Sequence, residues 1–451
     1  MSRIRGMRGF SGYLASSLGV TCAAALTLPL ALPAATATAL PTPLVEQAPA
    51  KHPPNSPDLP GSTQSLPLVP LTVSRTLGAT AVQGLSRQDV RRFSLLGVVW
   101  DNPDTELHGR VQVRTREATS GQWSGWQDVE THNAEHAADP DTAERTARRV
   151  RGATAPLWVG ESNGVEVRVR ATTQSRVEET ARGDRTATSE APLPSGLRLE
   201  LIDPGRAKDT PKGSPADSPR VGALEIPALT RAETERELAS LQGAQAGAEP
   251  KIGPRPRIVT RGGWGADESL REKTFIYTDK VKAAFVHHTA SGNKYTCSQA
   301  PSVIRGIYRY HVKSMGWRDI GYNFLVDRCG NIYEGRAGGV AKPVKGAHTL
   351  GFNTSSMGIA VIGTYDTTRP SDSSVRAVAQ LTAWKLGLYG VNPLGKTYLT
   401  SGGGNLYQKG KNVRLNVISG HRDGFATQCP GGLLYSRLGT ARTQAAEYQG
   451  R

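Results

Sequence analysis

Two stretches rich in proline and polar residues divide this chain of 451 residues, and apolar residues follow a different spacing after the second stretch. Residues 40–74 and 204–257 have the composition of linkers. Between them apolar residues alternate with charged ones, whereas beyond them apolar residues recur at three- and four-residue spacing between short apolar runs. A chain of this length rarely folds around a single hydrophobic core. The chain is therefore predicted to form two modules, residues 75–203 and 258–448.

The first module is predicted to be all-β. Valines or leucines alternate with polar and charged residues in segments 111–115, 165–169 and 197–201. A period of two with one charged face is typical of half-buried antiparallel strands, and the simplest such fold is a β-sandwich. Residues 131–148 and 172–192 interrupt the pattern as polar, charged insertions.

Trp123 and Trp126 lie close together in this module and admit two interpretations. Paired tryptophans can form a platform for carbohydrate, or they can pack at the edge of a strand. Packing is the commoner use of such residues, and we favour it.

The second module is predicted to be a mixed α/β domain, with a central sheet flanked by helices. Its strands are predicted at 283–287, 322–326 and 357–362, each a short apolar run. Its helices are predicted near 301–313 and 373–386, where apolar residues are three or four positions apart.

The N-terminus has the three parts of a secretory signal peptide. Three arginines fall within the first eight residues, an apolar stretch follows at 18–32, and small residues at 37–39 provide a cleavage site. No later run has the 18 or so apolar residues that a membrane span requires. Residues 1–39 are therefore predicted to be removed, and the mature protein is expected to be secreted without stable insertion in a membrane.

The positive charge is concentrated at the C-terminal end. Residues 251–451 contain 28 Lys and Arg against 11 Asp and Glu, a net charge of +17, whereas the first 250 residues have a net charge of −1. This asymmetry predicts that the second module meets a polyanion. Because the protein is expected to be exported and carries no nucleic-acid-binding motif, nucleic acid is disfavoured and the anionic bacterial wall is preferred.

The cysteine count raises the question of a metal ligand. Cys22 falls within the predicted signal peptide, and Thr21 precedes it where a lipoprotein signal requires Gly or Ala. Removal of Cys22 leaves three cysteines, an odd number for an exported protein. One disulfide and one thiolate metal ligand would account for all three.

Two motifs in the second module suggest zinc. His287 and His288 end a predicted strand, and alternation allows only one of them to face a given site. His421 and Cys429 lie eight residues apart across a glycine-containing loop. Catalytic zinc uses three protein ligands and keeps a fourth position open, a requirement that His287, His421 and Cys429 would fill. The alternative is a free buried cysteine beside a surface histidine.

Five ordered segments carry a resemblance to a known family. They are residues 285–290 (FVHHTA), 316–324 (GWRDIGYNF), 333–336 (YEGR), 346–348 (GAH) and 420–430 (GHRDGFATQCP). Together they resemble the type 2 zinc N-acetylmuramoyl-L-alanine amidases, in the branch shared with peptidoglycan recognition proteins. The resemblance covers about residues 255–448. It implies a Zn²⁺ enzyme that cleaves the amide between N-acetylmuramic acid and L-alanine, or alternatively a non-catalytic recognition protein.

The resemblance also assigns roles to individual residues. It implies His287, His421 and Cys429 as the zinc ligands, and Tyr322 and Thr427 as catalytic helpers. A neutral tyrosine is better suited to donating a hydrogen bond to an oxyanion than to acting as a base.

For the substrate groove the resemblance implies a peptide contact at His348. His311 lies on the apolar face of its predicted helix, where it is either a core residue or a contact with the ligand. In the recognition-protein branch, Gly-Trp at the position of Gly316 and Trp317 accompanies peptides carrying diaminopimelate. Arg336 would bind the extra carboxylate of that residue. Peptidoglycan of the diaminopimelate type is therefore the expected partner, bound by a monomer.

With Cys429 assigned to the metal, Cys297 and Cys329 are expected to form a disulfide. The bridge would close a loop of about 32 residues and stabilise the fold by about 3–4 kcal/mol in the chain-entropy model. It would also hold the two site-bearing strands together.

Overall fold

The structure is a computed structural model, and it describes residues 61–71, 82–180, 183–205, 224–242 and 251–451, with only the backbone of residues 173–190. The predicted signal peptide with Cys22, and all of the first predicted linker except residues 61–71, lie outside the described residues.

The described part of the N-terminal module contains ten strands. They are β1 (Ser62–Pro67), β2 (Val69–Pro70), β3 (Val82–Trp100), β4 (Gly109–Glu117), β5 (Gln127–Val129), β6 (Gly152–Ala153), β7 (Leu157–Ala171), β8 (Thr173–Thr180), β9 (Gly183–Glu190) and β10 (Arg198–Asp203). Eight form one antiparallel sheet in the order β1-β10-β3-β7-β4-β5, with β2 and β6 also paired to β3, while β8 and β9 form a separate hairpin.

The two long strands, β3 and β7, pair with each other in the middle of this sheet. The register of their pairing shifts three times between Leu85 and Leu95, and such irregularities bend a strand. Side chains of the sheet, among them Val98, Val111 and Val167, form one apolar core. The predicted alternating strands are present as β4, β7 and β10. They belong to one antiparallel sheet, and the packing of two sheets face to face stays a prediction.

Two segments predicted as linker take part in the sheets. Within 40–74, β1 pairs with β10 at a sheet edge, where backbone hydrogen bonds suffice and polar residues and proline are tolerated. Segment 204–257 contains a strand and a helix. The helix is stabilised because Thr230 and Glu233 cap each other's backbone amides and Leu238 enters the core of the second module.

The C-terminal module contains nine strands and five α-helices in its described part. They are β11 (Glu225–Ile226), α1 (Arg231–Gln242), β12 (Ile258–Val259), β13 (Ala283–His288), α2 (Ala300–Arg309), β14 (Phe324–Val326), β15 (Ile332–Glu334), β16 (Ser356–Val361), α3 (Asp372–Gly387), β17 (Lys396–Thr400), β18 (Asn412–Asn416), β19 (Ile418–Gly420), α4 (Gly432–Tyr435) and α5 (Leu438–Tyr448). Seven strands form a mixed sheet in the order β11-β12-β15-β14-β16-β13-β19.

Helices cover both faces of this mixed sheet. Side chains of α3 and α5 pack on Ala284 and Val286 of β13, and α2 packs on the opposite face. The predicted helix 301–313 ends as an α-helix at Arg309 and continues as one π-helical turn. Cys297 and Cys329 form a disulfide that ties the start of α2 to the turn after β14.

The two modules share a hydrophobic core. Leu95 of β3 and Ile202 of β10 lie in the same apolar cluster as Ile307 of α2 and Tyr310. The Tyr310 hydroxyl donates to the Thr154 carbonyl over 3.1 Å. A Cβ on Gly97 would lie 2.3 Å from that hydroxyl, so this close approach of Tyr310 to β3 favours glycine.

Trp123 and Trp126 pack on the charged face of the first sheet. The Arg168 guanidinium lies 4.0 Å from the Trp126 ring centroid, and that of Arg87 lies 4.9 Å from the Trp123 ring centroid. These cation–π contacts favour the packing interpretation. Within the described residues, no helix has the length and hydrophobicity needed to span a membrane.

We expect Tyr310→Ala to lower the free energy of unfolding of the full chain by about 3–5 kcal/mol, the usual cost of truncating a buried aromatic residue. Because the core is shared, both modules should unfold together at a lower denaturant concentration. The measurement is denaturant unfolding followed by tryptophan fluorescence. Tyr398→Ala, at a residue that is 56% exposed, is the control. Equal losses from the two substitutions would contradict the shared core.

Candidate metal centre and substrate groove

The centre begins with the pairing of two parallel strands. Val286 of β13 lies opposite Gly420 of β19. Because the strands are parallel, the residues that follow this pair, His287 and His421, meet at the same edge of the sheet. The neighbouring His288 points to the other face, where its Nδ1 accepts a hydrogen bond from the Tyr365 amide. Only the first histidine of the pair therefore enters the centre, as alternation predicts.

The loop after β19 brings a thiol to the same place. His421 begins a single 3₁₀ turn, and Gly424 ends it. The Asp423 carboxylate accepts a hydrogen bond from the Gly420 amide, and the Cys429 carbonyl accepts one from the Arg422 amide. These bonds fold the loop back on itself and place the cysteine beside the two histidines.

A fourth donor comes from the other module, on the β5–β6 loop (residues 130–151). His136 Nε2 lies 3.3 Å from His421 Nδ1 and 3.5 Å from Cys429 Sγ. His287 Nδ1 lies 3.2 Å from His421 Nδ1 and 3.8 Å from Cys429 Sγ. All four donor atoms lie within 4.8 Å of one another, and all four residues are buried.

Burial sets the protonation of these groups in the protein without metal. It lowers the pKa of His287 and His421 well below the usual value, with mutual repulsion of the imidazoles adding to the effect. Burial also lowers the pKa of His136 to about 3. All three imidazoles are therefore neutral at physiological pH, the form that binds metals.

Burial raises the pKa of the Cys429 thiol well above its usual value. A divalent cation reverses that balance, since a coordinating thiol loses its proton. The thiol is therefore suited to binding a metal rather than to remaining as a free thiolate.

The donor set and its spacing fit Zn²⁺. Zinc binds imidazole nitrogen at about 2.0–2.1 Å and thiolate sulfur at about 2.3 Å, so tetrahedral ligands are about 3.4 Å apart for two nitrogens and about 3.6 Å for nitrogen and sulfur. Four of the six distances between donor atoms, at 3.2–3.8 Å, are close to these edges, and the other two are no longer than 4.8 Å. The donor set could therefore hold zinc.

The predicted helpers flank this centre. The Tyr322 ring centroid lies 5.6 Å from that of His287, and burial raises the pKa of its hydroxyl well above the usual value. The Thr427 hydroxyl donates to the Glu135 carboxylate over 2.6 Å and accepts from the Cys429 amide over 3.2 Å. Glu135 again belongs to the β5–β6 loop.

Arg336 is buried in an ion pair rather than exposed. Its guanidinium donates to both carboxylate oxygens of Glu144, over 2.6 and 3.0 Å, and to the Ile320 carbonyl over 2.9 Å. Glu144 is a third residue of the β5–β6 loop. This loop thus reaches both the metal centre and the cation predicted to bind substrate.

The remaining predicted groove residues line the wall behind the centre. Trp317 is buried and stacks on His311 with ring centroids 4.5 Å apart, and His311 Nδ1 accepts from the Gly321 amide. His348 is fully buried, with its Nδ1 3.3 Å from His287 Nε2. In this position it orients a metal-binding imidazole from behind. A contact of these three residues with peptide stays a prediction.

Sequence reasoning missed the contribution of residues 131–148, which it treated only as a polar insertion. His136, Glu135 and Glu144 follow no period and match no motif. The one available signal is compositional, since two of the nine histidines of the chain occur in this insertion.

Comparisons with known proteins bear on the family of the chain. A family model described as N-acetylmuramoyl-L-alanine amidase matches residues 277–432, and one described as Rv3811 N-terminal galactose-binding domain-like matches residues 42–192. The peptidoglycan-recognition protein SC2 of Drosophila simulans is 33% identical over 183 residues, which are 41% of this chain and 85% of that protein. This chain belongs to the family of type 2 amidases and peptidoglycan recognition proteins. The sequence resemblance is confirmed.

Another relative and two solved structures are also similar to part of the chain. The human N-acetylmuramoyl-L-alanine amidase is 30% identical over 190 residues, 41% of this chain and 28% of that protein. The structure of wild-type Drosophila PGRP-LB is 26% identical and covers 41% of this chain and 92% of its own, with a TM-score of 0.33. That of recognition protein LE with tracheal cytotoxin is 30% identical over 41% of this chain and 92% of its own, with a TM-score of 0.31.

We expect His421→Ala to lose stoichiometric zinc on dialysis while the protein stays folded, because the module has its own core and a disulfide apart from the metal. Zinc per chain is measured by mass spectrometry and folding by circular dichroism. His108→Ala, at a half-exposed histidine, is the control. Equal zinc in both variants would exclude this centre as the zinc site.

Proposed function

We propose that this member of the amidase family is a secreted zinc-dependent hydrolase that cleaves the amide between N-acetylmuramic acid and the L-alanine of the peptide. The observation that carries the proposal is the meeting of His287, His421 and Cys429 at bonding distance for one metal ion. A protein that only recognises peptidoglycan needs the groove but has no need of a thiol and two imidazoles that converge on one point.

When bound, zinc supplies Lewis acidity, which polarises a carbonyl and lowers the pKa of water. His287, His421 and Cys429 would hold it. His348 and Thr349 stand behind His287, where their side-chain atoms lie 3.3 and 3.4 Å from its Nε2. They fix the ring so that Nδ1 faces the metal position.

Tyr322 and Thr427 are placed for the steps that zinc does not supply. The neutral Tyr322 hydroxyl can donate a hydrogen bond to the carbonyl oxygen as negative charge develops there. The Thr427 hydroxyl is held beside the thiol ligand by the Cys429 amide. Of the two predicted helpers, Thr427 is the one that we assign to passing a proton toward the leaving amine.

The substrate class follows from Arg336. A guanidinium fork binds a carboxylate through two parallel hydrogen bonds, and diaminopimelate carries a carboxylate that lysine lacks. Arg336 already binds a carboxylate in this way, that of Glu144. Secretion is supported by the predicted signal peptide, and association with an anionic wall by the charge of +17 on residues 251–451.

The proposal is tested by mass spectrometry of digested bacterial wall. We expect the zinc-loaded chain to release peptides with a free N-terminal L-alanine, and the chelated protein and Cys429→Ser to release none. His136→Ala, which removes the fourth donor, is tested in parallel. If neither the wild type nor His136→Ala generates such termini, recognition without hydrolysis is the function.

The choice of substrate depends on Arg336 in a way that can be measured. We expect Arg336→Ala to lower the ratio of kcat/KM for diaminopimelate over lysine muropeptides by roughly 10- to 150-fold, equivalent to the loss of one charge-assisted hydrogen bond. The ratio cancels any effect on access that both substrates share. Arg414→Ala, at an exposed arginine, is the control. An unchanged ratio would contradict this role of Arg336.

A further inference from the structure

The centre is closed to solvent, although a hydrolase must admit water and a substrate. Solvent exposure is 0% for His287 and His421, 3% for Cys429 and 5% for His136. The β5–β6 loop of the N-terminal module covers the centre, and its own residues 133–139 are almost all buried.

We propose that His136 is a fourth zinc ligand and that the β5–β6 loop is a built-in inhibitor, which occupies both the open coordination position of the metal and the position of the substrate's carboxylate. The second half of this inference rests on the proposed function, because it takes Arg336 as the site for the substrate carboxylate.

The first step of the argument is coordination. Zinc sites with four protein ligands are structural and closed, whereas catalytic sites use three protein ligands and leave one position for water or substrate. His136 Nε2 lies within 3.5 Å of both His421 Nδ1 and Cys429 Sγ. It therefore takes the one position that the other three ligands leave open.

The second step concerns the carboxylate. Glu144 binds both terminal nitrogens of Arg336, and the two side chains are only 6% and 8% exposed. One guanidinium fork binds one carboxylate in this geometry. A diaminopimelate peptide must displace Glu144 before it can pair with Arg336, so the loop and the substrate compete.

The third step is that further contacts hold the loop in this position. The Asp139 carboxylate accepts from the Gly351 amide and from the Asn353 side chain, and it lies 3.0 Å from the Lys345 amine. The Arg149 guanidinium donates to the Gly316 carbonyl over 2.8 Å. Hydrogen bonds and ion pairs from residue 135 to residue 149 of the loop thus hold it against the C-terminal module.

One rival interpretation uses the same contacts. The loop could complete the active site rather than close it, with Glu135 acting beside Thr427. The two interpretations make opposite predictions for His136. Removal of a blocking ligand opens the centre and raises turnover, whereas disturbing a catalytic loop lowers turnover.

The experiment uses the full chain with two substitutions and two controls from the same loop. His136→Ala removes the fourth ligand, and Glu144→Gln removes the competing carboxylate. His132→Ala and Asp141→Asn are the matched controls, because both residues are exposed and lie outside the centre. Asp141 pairs with Lys409 of the C-terminal module, but an ion pair that is 71% exposed on both sides contributes little to holding the loop. The readouts are zinc affinity, the visible absorption of the Co²⁺-substituted protein with and without acetohydroxamate, muropeptide binding by calorimetry, and kcat/KM.

We expect His136→Ala to weaken zinc binding by about 10- to 100-fold, at least the loss caused by removing an outer-shell partner. Acetohydroxamate should change the Co²⁺ spectrum of this variant at a much lower concentration than that of the wild type, and kcat/KM should rise. Glu144→Gln should tighten binding of the diaminopimelate muropeptide by about 10- to 150-fold and that of the lysine muropeptide much less. Both controls should behave as the wild type.

The outcomes separate this inference from the proposed function. If acetohydroxamate binds Co²⁺ in the wild type as tightly as in His136→Ala, or if His136→Ala lowers turnover, the inhibitory role is overturned even when hydrolysis is observed. If the spectra and the binding change as expected but no variant releases L-alanine termini, the loop closes the groove of a recognition protein and the amidase function fails.

Discussion

The metal centre depends on the parallel pairing of β13 with β19. With Val286 opposite Gly420, the strands deliver His287 and His421 to one edge of the sheet with their Nδ1 atoms 3.2 Å apart. A shift of one residue in this register would turn one imidazole to the far face and separate the pair. The core beneath, in which Ala284 and Val286 pack on α3 and α5, holds the register and so holds the centre.

Much of the C-terminal module could be predicted because its signals are local. Alternation along β13 separates His287 from His288, and the nine-residue segment that begins at His421 contains both remaining ligands of the predicted set. The boundaries of helix α2 were less accurate, since the chain leaves the α-helix at Tyr310 for a π turn with no change in apolar spacing. Segments β1 and β11 were missed because edge strands are held by backbone hydrogen bonds, which composition does not show.

The contribution of the N-terminal module to the centre could not be predicted for a different reason. His136 and Cys429 are 293 residues apart, and a loop of polar residues carries no period that indicates what it contacts. The charged residues of that loop acquire their partners only in the folded protein. A buried carboxylate without a partner is costly, and Glu135, Asp139 and Glu144 each find a donor in the other module.

The shared core between α2 and strands β3 and β10 has a consequence for the unit of folding. Family models divide the chain into separate segments, but Leu95, Ile202 and Ile307 belong to one cluster that crosses the division. A fragment cut between the two segments would present the apolar face of α2 to water, where it favours self-association. The smallest part of this protein that folds on its own is therefore larger than the segment matched by the amidase family model. A fusion protein that contained this segment alone would expose the apolar face of α2.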